Sequence, residues 1–75
     1  MKELLVVIAK NLVDNPDEVV VTQDYRDGAT VLKLTVAPDD MGKVIGKQGR
    51  IARAIRTVVK AAAVQTDEKI VVEII

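Results

Sequence analysis

The residues with the clearest chemical potential lie together in mid-chain, where Lys43, Gly46, Lys47, Gln48, Gly49, Arg50, Arg53 and Arg56 follow one another closely. Their chemistry is cationic and hydrogen-bonding rather than nucleophilic. Ammonium and guanidinium groups beside glycine-flanked main chain are what a phosphate-bearing ligand requires. Gly46 is placed to end one helix in a left-handed conformation, and Gly49 to let the chain enter the next without obstruction. With no side chain at either position a ligand backbone can approach closely, and the first amides of the following helix are expected to point outward without an intrahelical acceptor. Elsewhere Glu3, Asp39 and Asp40 stand in first turns and complement the helix dipole. Here Arg50 and Arg53 take that place, and no Ser, Thr, Asp or Asn stands at the cap. An external anion would complete such a terminus; glycine capping with hydration is the ordinary alternative.

The missing residue types exclude other chemistry. There is no His, Cys or Ser, so zinc or haem sites built on His or Cys, disulfides, and Ser-His or Cys-His nucleophilic mechanisms are impossible. A chain of 75 residues has room for one domain. After burying its own core it has little volume for an enclosed pocket, so neither an enzyme nor a small-molecule substrate or cofactor is expected. With 49% hydrophobic and 29% charged residues it is neither disordered nor membranous in composition. Its longest apolar run, Leu4 to Ala9, is too short to span a bilayer. Without cysteines or a recognisable signal peptide, an intracellular, cytoplasmic setting is expected.

The formal net charge of zero conceals a polarised molecule. From Met41 through Thr66 there are six basic residues (Lys43, Lys47, Arg50, Arg53, Arg56, Lys60) and no acidic one, whereas the remainder holds five basic and eleven acidic residues. Such a distribution steers an anion to one side and repels it from the other, although charge on a helix also serves solubility.

The elements that must position these groups follow from periodicity. Lys2 to Asp14 reads as a helix with Leu5, Ile8, Ala9 and Leu12 in phase, ended by Pro16. Glu18 to Tyr25 and Thr30 to Ala37 read as strands joined by a turn at Arg26-Asp27-Gly28-Ala29, with Leu32, Leu34 and Val36 inward. A short helix runs from Pro38 to about Ile45, and a longer one from Arg50 to Val64. On the longer helix Ile51, Ala54, Ile55, Val58, Ala61 and Ala62 form the packing face. Arg50, Arg53, Arg56, Thr57 and Lys60 lie opposite. Ile70, Val72 and Ile74 alternate in a closing strand. The order α-β-β-α-α-β implies an α+β layer, three helices on one face of a three-stranded sheet. Tyr25, the only aromatic residue, excludes an aromatic stacking platform and is expected to pack structurally. Met41, Val44 and Ile45 fit a groove floor and ordinary core equally well.

A bare G-x-x-G carries little weight. In its context, Val44-Ile45-Gly46-Lys47-Gln48-Gly49-Arg50-Ile51 between two helices resembles the GXXG loop of KH domains, which clamps the backbone of about four nucleotides. The element order resembles the type II KH arrangement. From Asp14-Asn15-Pro16-Asp17 through Ala37-Pro38-Asp39-Asp40-Met41-Gly42 to Val71-Val72-Glu73-Ile74-Ile75, nearly the whole of residues 1–75, read as one domain, resembles the small bacterial single-KH proteins of the KhpA family. That resemblance implies a cytoplasmic binder of single-stranded RNA, acting in post-transcriptional regulation or as an RNA chaperone. It also implies homodimers and a larger KH-containing partner, KhpB, with Lys47 and Gln48 against the RNA backbone and bases in a groove between the helices and a sheet edge.

The other phosphate-loop reading, Gly42 to Gln48 as a nucleotide-binding motif, fails because its glycines are one residue too close and Gln48 stands where Ser or Thr must hold magnesium. A rival of another class remains: a protein-interaction or dimerisation module with incidental RNA binding, in which Ala54, Ala61, Ala62 and Ala63 permit close approach of another element.

Overall fold

A computed structural model describes residues 1–75. Six elements follow in the expected order: α1 (Lys2–Leu12), β1 (Val20–Arg26), β2 (Ala29–Thr35), α2 (Met41–Ile45), α3 (Arg50–Gln65) and β3 (Ile70–Ile74). Single turns of 3₁₀ helix at Pro16–Glu18 and Pro38–Asp40 lead into β1 and α2. Each begins at a proline, whose fixed φ suits a first helical position. The expected Pro38-to-Ile45 helix is therefore a 3₁₀ turn running into an α-helical one.

The sheet order is β1-β2-β3, with β1 antiparallel and β3 parallel to the central β2. Asp27 and Gly28 close the hairpin at φ of 52° and 79°, and Arg26 pairs with Ala29. That two-residue loop places both central residues in the left-handed region that matches strand twist. The parallel return to β3 needs a long crossover, which α2 and α3 supply.

All three helices bury one face of the sheet. Leu5 and Ala9 of α1, Val44 of α2 and Ile55, Val59 and Ala63 of α3 meet Val21, Leu32, Leu34, Ile70 and Val72 in a single core. Leu32, Leu34 and Val36 all lie in that core, as their alternation requires. On α3 the buried line is Ala52, Ile55, Val59 and Ala63; of the expected face, Ile55 is in the core, Ile51 packs partly against it and Ala62 is half-buried. Ala54, Val58 and Ala61 are exposed. The helix has been rotated about its axis by the sheet it must meet. Tyr25 does not pack either. It is 71% exposed and its hydroxyl accepts a bond from Gln23 Nε2 at 2.8 Å. On the sheet's other face, an Arg26–Glu73 ion pair at 3.1 Å links β1 to β3. No helix is long and apolar enough to cross a membrane.

Candidate nucleic-acid interface

The two glycines between α2 and α3 do different work. Gly46 has φ 75° and ψ 175°, so its φ is positive as expected, but the backbone is a mirror-image extended conformation rather than a left-handed helical one. A β-carbon placed on Gly46 would lie 2.5 Å from Ile51 Cγ1. The close approach at this glycine is thus made by the protein's own α3, not left open for a ligand. Gly49, at φ 74° and ψ 17°, faces open space. Gln48 shares its left-handed geometry at φ 57° and ψ 26°. Asp27 and Asp67 also have positive φ, both in turns, but Gln lacks the short side chain that lets Asp tolerate it, so holding Gln48 there costs about 1 to 2 kcal/mol.

The expectation of free amides needs correction. The Gly49 N–H donates to the Gly46 carbonyl at 3.2 Å, and the Arg50 N–H donates to the Lys47 carbonyl. The left-handed pair at Gln48 and Gly49 bends the loop back so that these two donors close turns inside it. No side chain caps α3, and no carboxylate occupies its first turn. The positive end of the α3 dipole therefore has no internal counter-charge.

The basic residues divide into two groups. Lys47, Arg50, Arg53, Arg56 and Lys60 are exposed, and none has an acidic partner. Lys47 and Gln48 form the loop tip, and Arg50 opens α3. At 100° per residue, Arg53, Arg56 and Lys60 continue along one flank of the helix. Arg56 also reaches β3, its Nε donating to the Val72 carbonyl at 3.3 Å.

Lys43 stands apart from these. Its ammonium pairs with Asp14 and lies 3.6 Å from Asp40, so it contributes no uncompensated charge. Asp40 was expected to serve only the helix dipole, but it is the one buried polar side chain, 1% exposed. Burial pushes its carboxyl up. The Asn15 side chain, the Asp14 and Asn15 amides and the nearby Lys43 charge outweigh that and hold it below the ordinary carboxylate value. Lys43 is raised, chiefly by its bond to Asp14, against a desolvation penalty. Sequence reasoning missed this network. Its only trace is a carboxylate one turn before a lysine, with a second acidic residue ahead of a proline.

Of the apolar candidates, Val44 is core, Met41 packs partly against it, and Ile45 is 37% exposed at the end of α2. On the opposite flank of α3 from the arginines, Ile8, Leu12, Ile51, Ala54 and Val58 line an open apolar groove of about 370 Å³, with Arg50 at its rim.

An α-β-β-α-α-β domain with a two-glycine loop opening its longest helix is a KH-like domain of the type II arrangement. Residues 2–74 match the family model of the KhpA/KhpB KH domain, and the chain belongs to that family. It is 64% identical over all 75 residues to an RNA-binding protein KhpA from Clostridium acetobutylicum, covering the whole of both chains. Identity is 61%, again over both whole chains, to the RNA-binding protein KhpA of Clostridium perfringens. It is 53%, over all of this chain and 99% of the other, to that of Listeria monocytogenes serovar 1/2a. The family is a non-enzymatic one.

Proposed function

We propose that the chain binds single-stranded RNA without catalysis, clamping its phosphate backbone with the loop Gly46-Lys47-Gln48-Gly49. The observation that carries this reading is the loop tip itself. Lys47 and Gln48 are exposed, Gln48 is held in a strained left-handed conformation, and an uncapped helix follows. Arg50, Arg53 and Arg56 supply the surrounding positive field. With two loop amides closed onto loop carbonyls, most of the electrostatic attraction falls to side chains and the helix dipole rather than to a row of free N–H groups. The names of the relatives support the same ligand.

Replacing Lys47 and Gln48 together by Asp puts two negative charges where phosphate must sit, at exposed positions outside the core. Binding of a short oligouridine, followed by fluorescence anisotropy, is expected to disappear while the circular dichroism spectrum and melting temperature persist. Undiminished affinity in that variant overturns the reading.

A single KH module with few contacts binds weakly, and pairing raises effective concentration. We therefore also infer a homodimer or a pairing with a KhpB-type KH protein, acting on transcripts in the cytoplasm. The apolar groove between α1 and α3 favours assembly, because Val58 is 48% exposed beside it and Ala54 and Ala61 present little bulk. This groove would also serve the rival reading of an interaction module. Solution mass with and without RNA separates the two: a dimer that fails to bind oligouridine supports the rival.

A further inference from the structure

α2 is too short to hold its own position. It spans five residues, Met41–Ile45, and a helix of that length has no independent stability. Three anchors place it. Val44 is fully buried in the core. At the C-terminal end the Gly46 N–H donates to the Gly42 carbonyl at 2.9 Å, and Ile51 lies against the Gly46 α-carbon. At the N-terminal end the anchor is electrostatic. Because Gly46 is both the end of α2 and the first loop residue, whatever fixes the start of α2 also aims the loop.

The electrostatic anchor is Asp40. Its Oδ1 accepts the Asp14 N–H at 3.2 Å, and its Oδ2 accepts the Asn15 N–H and the Asn15 Nδ2, both at 3.0 Å. Lys43, one turn later, bridges back to the Asp14 carboxylate and approaches Asp40 Oδ1. The segment leaving α1 is thereby fastened to the beginning of α2. Two carboxylates face one ammonium here, so the corner is locally negative even though it adjoins the cationic loop. For Lys43 to turn to a phosphate it would have to leave both, and buried Asp40 would lose its only cation.

We propose that Lys43 is a positioning residue: clasped by Asp14 and Asp40, it fixes the start of α2 and so the aim of the Gly46–Gly49 loop, and does not itself meet phosphate. This rests on the loop being the RNA clamp.

One substitution separates positioning from direct contact by sign. The Asp14 carboxylate is exposed, with 77% of its side chain accessible, so Asp14→Asn should leave the fold intact. If Lys43 served as a phosphate contact, removing a neighbouring negative charge and freeing the lysine would tighten RNA binding. If it positions α2, loosening the clasp weakens binding. With oligouridine titrated at several salt concentrations, Asp14→Asn is expected to weaken binding about threefold. Lys43→Gln is expected to do the same with an unaltered salt slope, and the double variant to be no worse than either single one. Unchanged or tighter binding by Asp14→Asn overturns the proposal. So does a Lys43→Gln slope shallower by about 0.7, the signature of one lost phosphate contact on a single strand. The Lys47 and Gln48 double Asp variant is run beside these. If that variant binds normally, the clamp itself is wrong, whatever Asp14→Asn does.

Discussion

At the residue scale, the two glycines of the loop are unequal. Each has a positive φ, but only Gly46 is packed against another side chain. Gly49→Ala introduces left-handed strain alone, about 1 kcal/mol. Gly46→Ala combines backbone strain with a clash against Ile51, about 3 kcal/mol or more. A chain of this size has a total stability of about 4 to 11 kcal/mol, so the second change removes a large share of it. Urea denaturation of both variants checks the ranking. The decisive addition is Ile51→Ala, alone and in the Gly46→Ala background, because it removes Cγ1 and Cδ1, two of the three atoms the new β-carbon would strike. If the Ile51 contact is the cause, the double variant loses less than the sum of the two single losses; if the losses simply add, the clash is not what makes Gly46 necessary. Sequence alone marked both positions as glycine-requiring. It could not tell them apart, because the partner that fills the space at Gly46 is visible only once α3 is in place.

At the element scale, the strands and the hairpin were legible because a period of two leaves no freedom. Leu32, Leu34 and Val36 can reach only one face. α3 was legible as a helix but not in its orientation. Counting alanines as apolar, its non-polar surface from Ala61 round through Ile51, Ile55 and Ala52 to Ala63 covers roughly 200° of the helix. Nothing in the periodicity says which part of that arc meets the sheet. The junction of α1 and α2 was not legible at all, since it depends on a carboxylate, Asp40, that is folded inward by partners 25 and 26 residues away.

That junction predicts a pH dependence. Asp40 in the folded chain lies below its ordinary value of 3.8, so its ionised form stabilises the fold fully above that value. The contribution is lost as pH falls through the folded value. Lys43 is raised from 10.5, so its contribution is complete below that value and is lost as pH rises through the folded one. Both contributions are present at neutral pH. Asp40→Asn should therefore melt at lower temperature than the native chain at pH 7, with the gap narrowing as pH drops below about 4. A gap that stays constant into strong acid would mean that hydrogen bonding by an uncharged group suffices there, and that charge at Asp40 is immaterial.

At the scale of the whole molecule, zero net charge is no obstacle to a polyanion. The structure extends 34 Å along its longest axis, whereas charges in physiological salt are screened over about 8 Å. From Arg50 to the end of α3, sixteen residues rise about 24 Å. Asp67 and Glu68 lie beyond that far end, some three screening lengths from the loop. The loop therefore does not feel this distant pair, and of the nearer carboxylates Asp14 and Asp40 are held by Lys43. With about four phosphates engaged, the logarithm of the RNA association constant should fall against the logarithm of salt concentration with a slope near −3. Neutralising the distant pair by Asp67→Asn and Glu68→Gln raises the net charge by two. That change should alter affinity at physiological salt by less than about twofold and leave the slope in place. Lys47→Gln changes the net charge by only one unit at the loop tip, yet should reduce both affinity and slope. If the distant pair had the larger effect, recognition would be governed by overall charge, and the local arrangement of loop and α3 flank would lose its explanatory role.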